Sequence, residues 1–401
     1  MKKIIVSLLA TVAVCLSASA QTTPRDVYYV NLKSGGVHTV HNAISGASYD
    51  LNCSEVHNIG IDNNHNVYVL TTDANYANHF VDTYTLWKNG KAYQKFHAAS
   101  SDQYYSSIAM KVVGNDVVVA AVESKKFNSR GYQARLVGWV NGVQKYQTEW
   151  ERKSLKREQF QGFCEIQGSG LSAKAVVAKN FNSLGDYDFE SRVFYVAAVD
   201  YVNGDIYATG WGEREYSVTP AGRAKQYLVR RCPRVWKNGK EIVQQYENRT
   251  GAAWTINVMR GGQSILTAGH QRNRMCGWDG NKDMVVNYDG EGEAQILKEA
   301  VVFNGIVDGV PVFTRLFIDD AHRLYYVNTG KNGNQKPAGL VSGGFFSDVV
   351  VVGSTFYALD YSSNRICKIV GTNWMKNQWE VIKLCETDRS VDKYCLLAVH
   401  N

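Results

Sequence analysis

The chain reads as all-β: a single β-propeller of four-stranded antiparallel blades. Three observations carry that reading. One hairpin is spelled more than once. Leu86-Trp87-Lys88-Asn89-Gly90-Lys91 returns as Trp236-Lys237-Asn238-Gly239-Lys240, with looser copies at Trp139-Val140-Asn141-Gly142 and Val302-Phe303-Asn304-Gly305. Asn-Gly suits a two-residue type I′ turn, whose central residues both need positive φ, so each copy predicts a β-hairpin. A second signal, a tight polar turn before a Val/Ile/Tyr strand, recurs at Asp62-Asn63-Asn64-His65 and at Asp319-Asp320-Ala321-His322. The composition agrees: 401 residues hold 24 Tyr and 35 Gly but 5 Pro, with 45% hydrophobic and 12% aromatic residues. Length alone would allow two or three domains, but a closed array of blades is one domain of this size.

The elements follow in order. Lys2 and Lys3 precede an apolar run over residues 4–16, and Ala18-Ser19-Ala20 is a small-x-small cleavage site. Residues 1–20 are therefore predicted to be a signal peptide cut after Ala20, and the protein to be exported. Val14 is bulky where a lipoprotein signal wants a small residue before Cys15. No second run is long enough to cross a bilayer. The domain is then 21–401.

Within it, let A and B be the strands either side of the polar turn, and C and D those either side of Asn-Gly. One blade runs 56–61, 66–72, 81–88 and 91–96, and the next spans 107–147. A later one uses 193–199, 205–211, 227–236 and 240–245. Another takes 253–259, 264–269, 294–303 and 306–313. Segments 316–327 and 348–359 repeat the A–turn–B pattern. The hairpin asparagines stand at 89, 141, 238 and 304. The long interval between 141 and 238 predicts a degenerate blade with its B strand at 175–183. The N-terminal strands, 27–40, are expected to pair with strands near Ile382 and Leu396 and close a ring of six or seven blades, hiding exposed sheet edges.

Trp87, Trp139 and Trp236 each stand two residues before the Asn, where a large flat ring would fill the space between blades. A–B and C–D turns share one face and are tight. The B–C connections, on the other face, are longer and varied: 71–80, 123–133, 180–190, 211–225, 270–293 and 330–339. Recognition usually sits on such loops. If strand B lies near the channel, the ionic and aromatic groups just beyond it converge on one rim. These are Asp73, Glu123, Trp211, Glu213, Arg214, His270, Arg272 and Asp360, the candidate ligand-binding residues. His65 and His322 read as turn residues.

The Asp-x-x-x-Asn-Val-Tyr-Val turn and strand resemble those of NHL-type propellers. The Trp-Lys-Asn-Gly-Lys hairpin resembles repeats of exported bacterial β-propeller proteins with no assigned function. The resemblance covers most of the mature chain and implies architecture rather than activity.

The sequence carries no catalytic motif. There is no Gly-x-Ser-x-Gly, His-Glu-x-x-His or phosphate loop. Asp279-Gly280-Asn281-Lys282-Asp283 has calcium-like spacing, but Met284 and Gly290 stand where Gly and Glu are needed, so it reads as a polar turn. No metal site and no cofactor are expected. Of 44 basic residues, Lys2 and Lys3 leave with the leader, so 42 face 37 acidic ones, a net of +5. Arg152-Lys153-Ser154-Leu155-Lys156-Arg157 reads as a solvated loop, not a nucleic-acid patch. Seven cysteines remain (Cys53, Cys164, Cys232, Cys276, Cys367, Cys385, Cys395), an odd number without Cys-x-x-Cys. Cys164 and Cys367 read as buried thiols; Cys385–Cys395 is the bridge to test. The functional expectation is a monomeric, non-catalytic binding protein for a protein, peptide or glycan. The alternative is a hydrolase or lyase on glycans or esters, with residues such as Glu123, Glu213 and His270 at the channel mouth.

Overall fold

The computed structural model of the protein describes residues 24–31, 37–72, 83–128, 131–154, 164–167, 174–177, 194–218, 226–244, 251–271, 274–280, 282–285, 295–328, 339–373, 378–388 and 391–401. The expected signal peptide, Asp73 and Arg272 lie outside them.

Blade 1 begins with β1 (Asp26–Asn31), β2 (Val37–Asn42) and β3 (Ser48–Asn52). Blade 2 is β4 (Glu55–Ile61), β5 (Val67–Thr72), β6 (Thr83–Lys88) and β7 (Lys91–His97). Blade 3 is β8 (Gln103–Val113), β9 (Asp116–Asn128), β10 (Gly131–Val140) and β11 (Val143–Gln147), with β12 (Glu151–Ser154) added against β10. A separate hairpin, β13 (Cys164–Gln167) and β14 (Lys174–Val177), follows. Blade 4 is β15 (Phe194–Val202), β16 (Asp205–Val218), β17 (Gln226–Lys237) and β18 (Lys240–Gln244). Blade 5 is β19 (Gly251–Met259), β20 (Ser264–Gln271), β21 (Arg274–Asp279) and β22 (Lys282–Val285). Blade 6 is β23 (Ile296–Val307), β24 (Val310–Asp319), β25 (Leu324–Asn328) and β26 (Gly339–Leu340). Blade 7 is β27 (Phe346–Val352), β28 (Thr355–Asp360), β29 (Arg365–Asn373) and β30 (Gln378–Glu386). The last strand, β31 (Leu396–His400), pairs antiparallel with β1 and completes blade 1.

The ring therefore has seven blades of four antiparallel strands. Its innermost strand is A in every blade: β31, β4, β8, β15, β19, β23 and β27 lie side by side around the centre. This corrects the premise that strand B borders the channel. Closure uses Leu396 as expected, but Ile382 belongs to β30 and faces Lys368 of β29 instead.

The repeated turns behave as their chemistry requires. Asn89–Gly90, Asn141–Gly142 and Asn238–Gly239 all have positive φ, near 50° then near 80°. Each Asn also closes its blade: Asn89, Asn141 and Asn238 Oδ1 accept the N–H of Val67, Val117 and Ile206, the first residues of strand B or its neighbour. Trp139 packs in a cluster with Leu70, Tyr84 and Leu86 of blade 2, and Trp236 with Val118, Ala120 and Val122 of blade 3. Trp87 packs toward blade 1, beside Val40 and Leu51. All three tryptophans fill the gap between their own blade and the preceding one.

Several expectations are corrected. Asn304–Gly305 is no hairpin; it forms a bulge inside β23, and the turn comes later, at Asp308–Gly309. That shift moves the frame of blades 5 and 6. Residues 296–307 and 310–319 are strands A and B of blade 6, while blade 5 takes β21 and β22 as C and D. The Asp319–His322 turn thus joins B to C, on the face opposite the Asp62–His65 turn, although both hold a His at φ near 60°. The connection at 330–339 joins C to D and so leaves the variable face. Segment 270–293 contains β21 and β22 rather than a single loop, and 123–133 is largely strand. No degenerate blade separates blades 3 and 4: β15 lies directly on β8, with Val196 N–H donating to Ser107 Oγ at 2.8 Å. The extra length is a D-to-A insertion carrying β12, β13 and β14. Arg152–Ser154 of the basic stretch is strand, not loop.

Asp279 ends β21 and accepts the Ile265 N–H, as a polar hairpin turn does. Cys367 is a buried free thiol, its pKa pushed up to about 11 by burial. Cys385 is also a free thiol, so the Cys385–Cys395 bridge is not formed, although both belong to one apolar cluster.

Candidate ligand site at the channel mouth

Six inner strands share a feature that sequence inspection missed. Each breaks register once near its start, leaving one extra residue: His57, Ser106, Ala197, Trp254, Leu297 and Ser347. Such bulges re-aim a side chain and bend the strand. They lie where strand A enters from the variable face, so the re-aimed residues encircle the channel mouth. Two glycines of strand B make room for them. A Cβ on Gly210 would lie 1.8 Å from the Tyr195 carbonyl oxygen, and one on Gly269 2.0 Å from that of Ala252.

Directly after these glycines come Trp211 and His270, two of the nominated residues. Trp211 is buried and stacks on Tyr195, with centroids 5.9 Å apart and planes 3° from parallel. Tyr195 meets the bulged Trp254 edge to face at 6.1 Å. Trp254 in turn stacks on His270 at 5.9 Å, and its Nε1–H lies 3.2 Å from both His270 Nδ1 and Gln295 Oε1. The Asp320 N–H donates to the Gln295 carbonyl, fixing the residue that enters blade 6. The result is a half-buried aromatic arc, Trp211–Tyr195–Trp254–His270, ending in an amide and spanning blades 4 to 6. On blades 6 and 7, His322 packs edge-on to Tyr361, which also touches the exposed Phe345.

Glu123 and Asp360 do other work. Glu123 is buried; its carboxylate binds Arg135 Nε at 2.6 Å and accepts the Ala99 N–H. Arg135 lies over the Trp150 ring at 4.3 Å, so Glu123 anchors a cation–aromatic contact on blade 3. Asp360 is fully buried and caps the B–C turn of blade 7, accepting from Ser362 Oγ at 2.6 Å, the Ser363 N–H and Arg365 Nε. It thereby positions Tyr361. Glu213 and Arg214 lie in β16, opposite Arg231 and Arg230 of β17. Asp73 and Arg272 fall outside the described residues.

Below the mouth the inner strands are tied by polar side chains. Asn58, Ser107, Asp200 and Asp348 accept the N–H of Met110, Val196, Val258 and Leu397 on the next inner strand. Between blades 5 and 6, buried Glu299 accepts from Arg315 Nε at 2.5 Å and from Thr255 Oγ1 and Asn257 Nδ2. Burial raises the Asp348 carboxyl above its ordinary range, despite Lys298 nearby. Burial likewise holds the His57 imidazole low, so it is neutral at pH 7.

No protein-family model matches the chain, and no curated protein matches it. Among solved structures it is similar to a periplasmic gluconolactonase of Pseudomonas aeruginosa, at 8% identity over 93% of this chain and 98% of that one, TM-score 0.42. It is also similar to the β-propeller domain of the trilobed protease of Pyrococcus furiosus, at 10% identity over 77% and 76% of the two chains, TM-score 0.38. A third is Semaphorin 1a of Drosophila, at 7% identity over 90% and 86%, TM-score 0.38.

Proposed function

We propose that the chain is an exported, monomeric, non-catalytic binding protein that holds a glycan on the aromatic arc at the channel mouth. The observation that carries this reading is the chain of ring contacts from Trp211 through Tyr195 and Trp254 to His270, with Gln295 beside it. A sugar ring has an apolar C–H face and a polar rim. Aromatic faces flanked by an imidazole and an amide offer both kinds of contact at once. Export rests on the leader: a basic start, a short apolar run and Ala18-Ser19-Ala20.

The hydrolase or lyase alternative needs carboxylates free to exchange protons. Glu123 and Asp360 each face an arginine within their own blade. Such pairs occupy the carboxylate oxygens with fixed partners, which suits structure better than exchange with a substrate. A glycan array probed with the mature protein tests the reading. Saturable binding to a related set of glycans supports it; a blank array, together with hydrolysis of glycan or ester substrates, overturns it.

A further inference from the structure

We propose that Asp26, His65 and His400 form a binding site for a divalent transition-metal ion, with Zn²⁺ as the reference, on the underside of the ring where it closes. The three come from separate elements: the first residue of β1, the A–B turn of blade 2, and the end of β31. One ligand atom of each lies within 4.8 Å of the other two. His65 Nδ1 stands 2.5 Å from Asp26 Oδ2, and the His65 and His400 rings are 5.0 Å apart, nearly perpendicular.

An Asp26–His65 hydrogen bond alone accounts for two of these residues. It does not account for His400, whose Nδ1 is buried without a hydrogen-bond partner. The other nitrogen of that ring, Nε2, faces Asn63 Oδ1 at 3.4 Å. An imidazole with one nitrogen on an amide oxygen and the other unpaired is arranged as metal-bound histidines are, the outer partner fixing the tautomer. His65 adds a backbone argument. It sits at φ 62°, where Asn or Asp fills most of the other tight turns, yet here an imidazole is held against a carboxylate.

Two imidazoles and one carboxylate suit zinc and its neighbours in the transition series, and leave a position for water. Ligand atoms about 2.0–2.2 Å from zinc stand roughly 3.3 Å apart, so the Asp26–His65 pair must open by about 1 Å. His65 has that freedom, its side chain being 42% exposed. Because Asp26 and His400 lie near opposite chain ends, the ion would staple β31 and β1 to blade 2. An ion that binds only the folded ring stabilises it.

The test uses the untagged mature protein. Calorimetric titration with Zn²⁺ should give one equivalent bound, and zinc should raise the thermal midpoint, a shift reversed by chelator. His65→Asn, which keeps the left-handed turn, and His400→Gln should each weaken binding at least about tenfold while matching the wild-type midpoint in chelator. Co²⁺ should give a spectrum without thiolate charge transfer. Unchanged affinity in both variants, a thiolate band, or no saturable binding would leave Asp26 and His65 a hydrogen-bonded pair only and overturn the proposal.

Discussion

Trp254 shows how much one residue can concentrate. It is the bulged residue of its strand, touches rings on both sides, and donates toward His270 and Gln295. Nothing in its local sequence marks it, because its partners come from three blades. Trp211 and His270 were legible only as groups at the end of strand B. A stronger signal was the glycine before each, Gly210 and Gly269, needed where backbone meets backbone. Glu123 and Asp360 looked alike in sequence and proved to be structural anchors, since their arginines lie 12 and 5 positions away on strands whose pairing sequence alone does not reveal. Two predictions belong at this scale. Truncating Glu299→Ala leaves Arg315 buried without its carboxylate and should cost about 3–5 kcal/mol in urea unfolding, much of it restored by Glu299→Leu with Arg315→Met. His57 is held neutral by burial, its pKa lowered from 6.5. The unfolded chain then binds a proton that the folded one refuses, so stability falls as pH drops below about 6.5. His57→Gln should flatten that part of the thermal-midpoint profile between pH 7 and 5.

At the scale of elements, the Asn-Gly hairpins at 89, 141 and 238 were readable because a type I′ turn admits few residues. The copy at 304 misled, since a one-residue bulge defers the turn to Asp308–Gly309. The Asp-x-x-His turn was read correctly as a turn and wrongly as a marker of face, because capping by Asp62 or Asp319 is purely local. Trp236→Ala should cost about 3–5 kcal/mol, since the ring is 2% exposed between blades 3 and 4. Gly269→Ala should cost about 1–3 kcal/mol by pushing the bulge off Ala252. It should also shift Trp254 fluorescence, while Gly353→Ala, with open space around its Cβ, should leave that emission unchanged.

Across the whole molecule, ring closure depends on β31 supplying the innermost strand of blade 1. Deleting residues 396–401 would expose the edge of β1 and the apolar face that Leu396 and Leu397 cover, and should increase aggregation seen by size-exclusion chromatography. The period of the repeats makes this architecture legible in the sequence. Blade count was harder to read because the insertion between blades 3 and 4 mimics a missing blade. The two faces then separate the two proposed sites: an aromatic mouth above, and a His–Asp cluster at the seam below. The decisive measurement is the calorimetric affinity of an array-selected glycan for the wild-type protein and for Trp254→Ala, with matched circular dichroism. The account predicts saturable binding to the wild type and at least a tenfold loss, about 1.4 kcal/mol, in the variant. Equal affinity in the two proteins would contradict it.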